Sequence, residues 1–214
     1  MLKKIEVILV FIGVLFSGVT AYFAYSIGSE QVRAAKIQYA PIFVFKKEYT
    51  KDNINDDYNA EHLIIENQGY PILTFDVTLD TVLTMKLTEY QEKTPDKIMY
   101  YPIGYYDGKS SSSGGRGRMS MFFGNKNLRL MSDLEDEIIS FNHENNRKKI
   151  IIYKTNNIMK ISYIDVNDER HDKYYMDEMP VTSDTYNELK SKIENVSDYS
   201  KEDLKLNKLL TVNK

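Results

Sequence analysis

An unbroken apolar segment near the start of the chain, residues 5–27, constrains its fold more than any other feature. Glu6 is the only charged residue in this segment. A helix of this length extends about 34 Å, which is enough to cross a bilayer core of about 30 Å. Because the segment has no polar face for water, it does not suit an amphipathic helix of a soluble domain. The sequence therefore predicts one transmembrane helix at residues 5–27.

A cleaved signal peptide is the alternative interpretation of this segment, because the basic N-terminus (1–4) with Lys3 and Lys4 suits either one. The apolar core of a signal peptide usually runs for about 7–15 residues and ends at a small-x-small cleavage site. The run here is longer, and its best such site, residues 19–21, is followed at once by two bulky aromatic residues. We therefore expect an uncleaved signal anchor in a single-pass membrane protein.

Positive charges near the anchor favour one orientation, since the cytoplasmic side of a membrane protein carries the excess of Lys and Arg. The two N-terminal lysines lie close to the apolar segment, whereas Arg33 and Lys36 follow it at a greater distance. This pattern favours a cytoplasmic N-terminus and a C-terminal domain outside the cell membrane. Residues 28–40 are rich in helix formers and predict a juxtamembrane helical stalk that Pro41 ends.

Gly13, Ser17 and Ala21 form a stripe of small residues along one side of the predicted membrane helix. Such a stripe lets a second helix approach closely, and it makes these residues candidates for contact with a partner protein or a second copy of the chain. Small residues are also common in membrane helices that make no such contact. The lipid bilayer is the first predicted partner in either case.

The composition of the remaining chain indicates one soluble domain with much β-structure. The whole chain has 28 basic and 31 acidic residues and a net charge of −3, which gives no basis for a nucleic-acid partner. The absence of cysteine excludes disulfides, thiolate catalysis and cysteine metal sites. The 17 tyrosines and nine phenylalanines favour strands, because aromatic side chains fit a pleated, half-buried surface.

Alternating apolar and polar residues predict a β-domain at 41–180. The alternation is clearest at 71–88, where the doublet Val82-Leu83 breaks the phase and predicts a bulge or turn near Asp80-Thr81. Further strands are predicted at 42–50, 62–69, 97–106, 119–123, 149–154, 158–165 and 170–178.

Two stretches of the domain predict helices. Ser132 and Glu135 form a capping box that predicts a helix insert over 133–146. A C-terminal helical segment is predicted at 183–214. About seven to nine strands with two to three short helices, at no regular βαβ spacing, indicate a mainly β fold. We predict an antiparallel β-sandwich, preceded by one transmembrane α-helix and stalk.

Residues 107–118 are rich in glycine and serine and predict a flexible loop. The backbone amides of such a loop, together with Arg116 and Arg118, make a candidate anion or partner site, for example for lipid phosphates. The loop lacks the Gly-Lys-Ser/Thr ending of a phosphate-binding P-loop. A solvated surface loop without a ligand is therefore the simpler interpretation.

Four tyrosines flank Pro102 beside this loop. Because alternate residues of a strand face opposite sides, Tyr101 and Tyr105 are candidates for a recognition surface on an exposed strand face. The alternative is that these tyrosines are ordinary core and strand residues.

The sequence carries no convincing catalytic or metal motif. The three histidines lie on separate predicted elements without zinc-ligand spacing, and a nucleophile elbow is absent. Asp165, Asn167 and Glu169 are spaced as in calcium loops, but Arg170 and Met176 occupy the positions that require glycine and glutamate. This stretch therefore predicts a hairpin turn. We assign no catalytic, cofactor-binding or metal-binding residue, and we expect no cofactor.

Three stretches together resemble a known class of proteins. They are residues 31–43 after the membrane span, the strand LIIENQGYPI (63–72), and ISYID (161–165), which opens a hairpin. The set resembles uncharacterised bacterial single-pass membrane proteins that have an N-terminal anchor and a small immunoglobulin-like β-sandwich domain. The resemblance implies a tight turn held by Asn67 and Gly69, and it implies no catalytic residue.

These observations lead to a functional expectation. We expect a membrane-anchored, non-enzymatic binding or assembly module in the cell membrane, with its C-terminal domain outside. Two alternatives stay open at this point. One is a cytoplasmic-facing sensor or effector subunit on the same anchor, and the other is an enzyme whose site the sequence does not reveal.

Overall fold

A computed structural model describes residues 2–52, 58–90, 95–145 and 148–211. The chain divides into two compact units, Met1–Ala40 and Pro41–Lys214. The first unit holds one continuous helix, α1 (Leu2–Gln38), which contains the predicted transmembrane segment and the predicted stalk as far as Gln38. Its stretch Ile12–Ala34 is long and apolar enough to cross a membrane. The helix ends before Pro41, because the residue preceding a proline avoids helical angles.

The described part of the second unit contains nine strands in two antiparallel sheets. Sheet A has the order β1-β2-β6-β5 and consists of β1 (Phe43–Lys51), β2 (Tyr58–Ile72), β5 (Gly108–Ser111) and β6 (Gly115–Phe123). Sheet B has the order β4-β3-β7-β8-β9 and consists of β3 (Thr74–Glu89), β4 (Lys97–Ile103), β7 (Lys149–Ile164), β8 (Arg170–Met176) and β9 (Met179–Val181). The predicted antiparallel β-sandwich is confirmed.

Short helices complete the described part of this unit. They are α2 (Asn127–Glu144), α3 (Ser183–Ile193), a 3₁₀ turn (Lys201–Asp203) and α4 (Leu206–Thr211). The predicted C-terminal helical segment therefore contains α3, the 3₁₀ turn and α4, and its last residues, 212–214, lie outside the described residues.

Helix α2 begins at Asn127, well before the predicted start, so Ser132 lies inside the helix and the predicted capping box is wrong. The buried Asn127 side chain accepts a hydrogen bond from the Glu61 N–H (2.9 Å) and donates one to the Glu61 carbonyl (3.1 Å). It also accepts from the N–H of Leu128 (3.1 Å) in the first helical turn. A contact with strand β2, and not a local cap, therefore sets the start of the helix.

The longest strand pairing joins β3 to β7, from Thr74 opposite Ile164 to Glu89 opposite Lys149, without a register shift. The predicted bulge near Asp80-Thr81 is therefore wrong, and the strands predicted at 149–154 and 158–165 are one strand. Val82 faces α3, whereas Leu83 faces α2 and the C-terminal segment. Because both faces of sheet B are covered at this point, two adjacent apolar residues fit an unbroken strand.

Three hydrophobic clusters cover the two faces of sheet B. The first lies between the two sheets and includes Leu63 of β2 and Ile161 of β7. The second lies farther along the same face of sheet B. There, helices α2 and α4 pack on the sheet in place of sheet A, through residues such as Leu134 and Leu209. The third lies on the opposite face, where Leu189 of α3 packs. Sheet B is therefore the central layer of the domain.

The predicted flexible loop at 107–118 is instead a β-hairpin formed by β5 and β6. At Gly114 an added Cβ would clash with the Leu73 carbonyl oxygen, so only glycine allows this close approach of the two backbones. Gly115 has a φ of 104°, which L side chains rarely adopt. The glycines that suggested flexibility thus permit a specific backbone path.

Asn67 ties the start of β1 to β2 and β6. Its buried side chain accepts from the N–H groups of Ile42 (3.2 Å) and Gly69 (3.0 Å), and it donates to the carbonyls of Tyr70 (2.7 Å) and Gly115 (3.0 Å). The predicted tight turn at Asn67 and Gly69 is therefore not a chain reversal. It is an irregularity within β2, whose pairing with β6 shifts register between residues 67 and 72.

Asn67→Ala should destabilise the domain strongly, because it leaves buried backbone donors and acceptors without partners. We expect a loss of about 2–4 kcal/mol in the free energy of unfolding, measured by urea denaturation of the full chain in detergent. The control is Gln68→Ala, whose exposed side chain should matter by less than about 0.5 kcal/mol. Equal stability of the two variants would contradict the role given to Asn67.

Candidate functional site

The two predicted recognition tyrosines have different environments. Tyr101 is 0% exposed, and its hydroxyl donates to the Leu209 carbonyl at 2.6 Å. Its ring also meets that of Tyr199 edge-to-face, with centroids 5.4 Å apart. The prediction that Tyr101 belongs to an exposed surface is therefore wrong, because α4 and the C-terminal segment cover this part of β4. Local sequence pattern does not indicate this burial, because the covering residues lie about 100 positions farther along the chain.

Tyr105 is half-buried and borders a cleft of about 310 Å³, which we call the Tyr105 cleft. Its ring contacts that of Tyr106 edge-to-face at 4.9 Å. Apolar walls come from β3, from the end of β4 and from β6. The apolar lining residues are Leu79, Pro102, Ile103 and Phe122.

The C-terminal segment is held beside β4 by backbone hydrogen bonds. The N–H of Tyr199 donates to the Pro102 carbonyl (2.9 Å), and the N–H of Gly104 donates to the Tyr199 carbonyl (2.9 Å). Pro102 lies on the edge strand of sheet B, which is typical of a residue that lacks an N–H donor. This pairing places Asp198 in the lining of the Tyr105 cleft.

The charged groups that line the Tyr105 cleft are three carboxylates and one ammonium group, those of Asp80, Asp107, Asp198 and Lys109. Asp80 accepts from Lys190 at 2.7 Å, and Asp107 pairs with the buried Lys201. The Lys109 ammonium donates to the Val77 carbonyl at 2.8 Å. Asp198 is exposed. Against burial, which lowers the pKa of Lys190, the ion pair with Asp80 raises that pKa and the charge of Asp198 adds to the rise. The cleft therefore presents an exposed carboxylate, that of Asp198, to solvent.

Two tyrosines of the cleft keep their protons at ordinary pH. Burial raises the pKa of Tyr105 and of Tyr106 well above the usual value, and the charge of Glu61 adds to the effect. Burial alone would lower the pKa of Lys190, but its ion pair with Asp80 raises it. These groups are suited to hold a ligand through hydrogen bonds and apolar contact.

A buried polar network supports the Tyr106 wall of the cleft. Glu61 is 6% exposed, and its carboxylate accepts from the Tyr106 hydroxyl at 2.8 Å. The Lys47 ammonium lies 3.5 Å from Glu61 and 3.4 Å from Glu178. Burial would lower the pKa of Lys47, but these two carboxylates raise it. Sequence reasoning missed this network; the only signal was a glutamate on the inward face of an apolar strand.

Arg116 and Arg118 lie exposed on β6 and do not line the Tyr105 cleft. An Arg116 guanidinium nitrogen donates to the Gln68 carbonyl at 3.2 Å. A hydrogen bond with Lys46 is the main cause that lowers the pKa of the Glu66 carboxyl. Arg118 lies opposite Glu66 in the β2–β6 register, and its positive charge adds to this effect. Both arginines therefore have neighbours in sheet A, and anion binding by them stays a prediction.

The small-residue stripe of Gly13, Ser17 and Ala21 lies on α1, where these residues are exposed in the single chain. The Ser17 hydroxyl donates to the Gly13 carbonyl one turn earlier at 2.8 Å, so its polar group is satisfied within the helix. A hydroxyl that is hydrogen-bonded within its own helix is compatible with an apolar environment such as a bilayer. Contact with a second helix stays a prediction.

No protein-family model matches the sequence, and no curated protein matches it. One solved structure with some similarity is the X-ray structure of Northeast Structural Genomics Consortium target SoR45, at 10% sequence identity. The alignment covers 69% of this chain and 91% of that one, with a TM-score of 0.17. At this TM-score the likeness carries no argument about fold or function.

Proposed function

We propose that this chain is a membrane-anchored, non-enzymatic binding or assembly module of bacterial origin, presented outside the cell membrane. We further propose that the Tyr105 cleft receives one positively charged side chain of a partner protein. The observation that carries the proposal is the cleft itself, where apolar walls and exposed carboxylate oxygens meet at a junction of both sheets and the C-terminal segment.

A lysine or arginine side chain fits this cleft for two reasons. Its apolar stem can pack against Tyr105 and Pro102, and its charged end can reach the exposed carboxylate of Asp198. The cleft volume of about 310 Å³ is at the lower limit of ligand pockets and suits one side chain. A single anchoring residue of this kind commonly dominates a protein interface.

The anchor and the orientation support the same role. Helix α1 contains a segment of suitable length and apolarity for a bilayer, and the lysines that precede it favour a cytoplasmic N-terminus. A module outside the cell can meet partners on the cell surface while it stays attached to the membrane.

The cleft is tested with the full chain in lipid nanodiscs and two acetylated pentapeptides, Gly-Gly-Arg-Gly-Gly and its central-glutamate analogue. NMR signals of labelled tyrosine should show that the arginine peptide binds near Tyr105 with about millimolar affinity. The glutamate peptide should cause no such change. Asp198→Asn should weaken arginine-peptide binding by about two- to fivefold, the size of an exposed ion pair.

The matched control is Glu48→Gln, which removes an exposed carboxylate from β1, outside the cleft. This variant should bind the arginine peptide as the unaltered chain does. Equal binding of both peptides, or an equal effect of the two variants, would contradict a charge-selective cleft.

The orientation is tested by adding protease to intact cells that make the full chain. Because the domain is proposed to lie outside, it should be digested without lysis, and a cytoplasmic control protein should stay intact. Protection of the domain until the cells are lysed would overturn the orientation and favour a cytoplasmic-facing sensor or effector subunit.

A further inference from the structure

The turn between β7 and β8 brings together three side chains that commonly bind metals. The predicted hairpin turn is confirmed, with Ile164 paired to Arg170 at its base. One possible ligand atom from each of Asp165, Glu169 and His171 lies within 4.8 Å of the other two. The set is mixed, with two carboxylates and one imidazole nitrogen, and none of its three residues lines the Tyr105 cleft.

Two of these side chains are oriented by further contacts in the turn and in the core. Asp165 Oδ1 accepts from the N–H groups of Asn167 (2.9 Å) and Glu169 (3.0 Å), which directs Oδ2 towards His171. The His171 ring stacks on Tyr163, with centroids 5.0 Å apart and planes 25° apart. Tyr163 is itself part of the core between the sheets. The oxygen and the nitrogen are therefore oriented before any ligand arrives.

The distance between His171 and Asp165 agrees with two ligands of one small metal ion, and Glu169 lies somewhat farther away. His171 Nε2 lies 3.1 Å from Asp165 Oδ2 and 4.0 Å from Glu169 Oε2. A tetrahedral ion with metal–ligand distances of about 2.0–2.1 Å places neighbouring ligand atoms about 3.3 Å apart. The Glu169 side chain is 54% exposed, and its carboxylate must move closer to the other two groups to complete the set.

We propose that Asp165, Glu169 and His171 form a site for a divalent transition-metal ion of the zinc type, with a fourth position open to water or to a partner. An imidazole nitrogen favours zinc over calcium and magnesium, which prefer all-oxygen sites. The site also lacks the six or more oxygen ligands that calcium takes. Metal binding joins the two ends of the β7–β8 turn and stabilises the folded domain by mass action.

The test is calorimetric titration of the full chain in detergent with Zn²⁺ and, separately, with Ca²⁺. We expect one Zn²⁺ per chain, a higher melting temperature with Zn²⁺, and no comparable effect of Ca²⁺. The variants Glu169→Gln and His171→Gln should each weaken Zn²⁺ binding by at least about tenfold. Far-UV circular dichroism checks that both variants stay folded.

Two matched variants separate ligation from general charge and from other histidines. Asp168→Asn removes a negative charge from the same turn, and asparagine tolerates the φ of 65° found there. His143→Gln removes an exposed histidine from α2. Both should bind Zn²⁺ within about threefold of the unaltered chain. The proposal is overturned if the unaltered chain binds no stoichiometric Zn²⁺, if Ca²⁺ binds equally well, or if all four variants behave alike.

Discussion

The continuous antiparallel pairing of β3 with β7 is the interaction on which the rest of the domain depends. It joins sixteen residues of each strand in one register, from Thr74 to Glu89 and from Ile164 to Lys149. One face of this two-stranded β3–β7 ribbon is apolar along most of its length and must be covered by other elements, whereas the opposite face is mostly polar and has a buried apolar patch at Val82 and Ile158. Sheet A covers the first half of the apolar face, α2 and the C-terminal segment cover its second half, and α3 covers the patch at Val82 and Ile158 on the opposite face.

The candidate binding cleft is a consequence of this arrangement. Leu79 packs against the core beneath sheet A, whereas Leu83 belongs to the core beneath α2. The Tyr105 cleft opens between them, and its two tyrosines divide in the same way, since Tyr106 packs on the first core and Tyr105 on the second. The cleft therefore lies at the boundary between the part of the β3–β7 face that sheet A covers and the part that α2 and the C-terminal segment cover.

Sequence periodicity predicted the features that depend on local pattern. The apolar helix, most of the strands and the antiparallel class follow from the spacing of apolar residues. Features set by distant contacts were not predictable in this way. Tyr101 is buried because Leu209 lies over it, and α2 starts at Asn127 because that side chain binds the backbone of Glu61. The doublet Val82-Leu83 led to the prediction of a break in the strand, because strict alternation is expected only where one face of a strand is buried.

The candidate sites show the same limit. Tyr105 was predicted as part of a recognition surface, but the carboxylates beside it come from β3, from the chain before β5 and from the C-terminal segment. The stretch from Asp165 to Glu169 was correctly predicted as a hairpin turn. The proposed role of His171 as a metal ligand depends on its stacking against Tyr163, which the spacing of possible ligands in the sequence does not reveal.

Hydrogen exchange of the full chain in detergent is the most direct test of the continuous ribbon. The backbone amides that bridge β3 and β7 should exchange slowly and at a similar rate along the whole pairing, because they open only when the domain unfolds. The stretch from Asp80 to Leu83 should be as well protected as the stretches on either side of it. Fast exchange confined to Asp80–Leu83 would show a break in the strand at this point and would contradict the account.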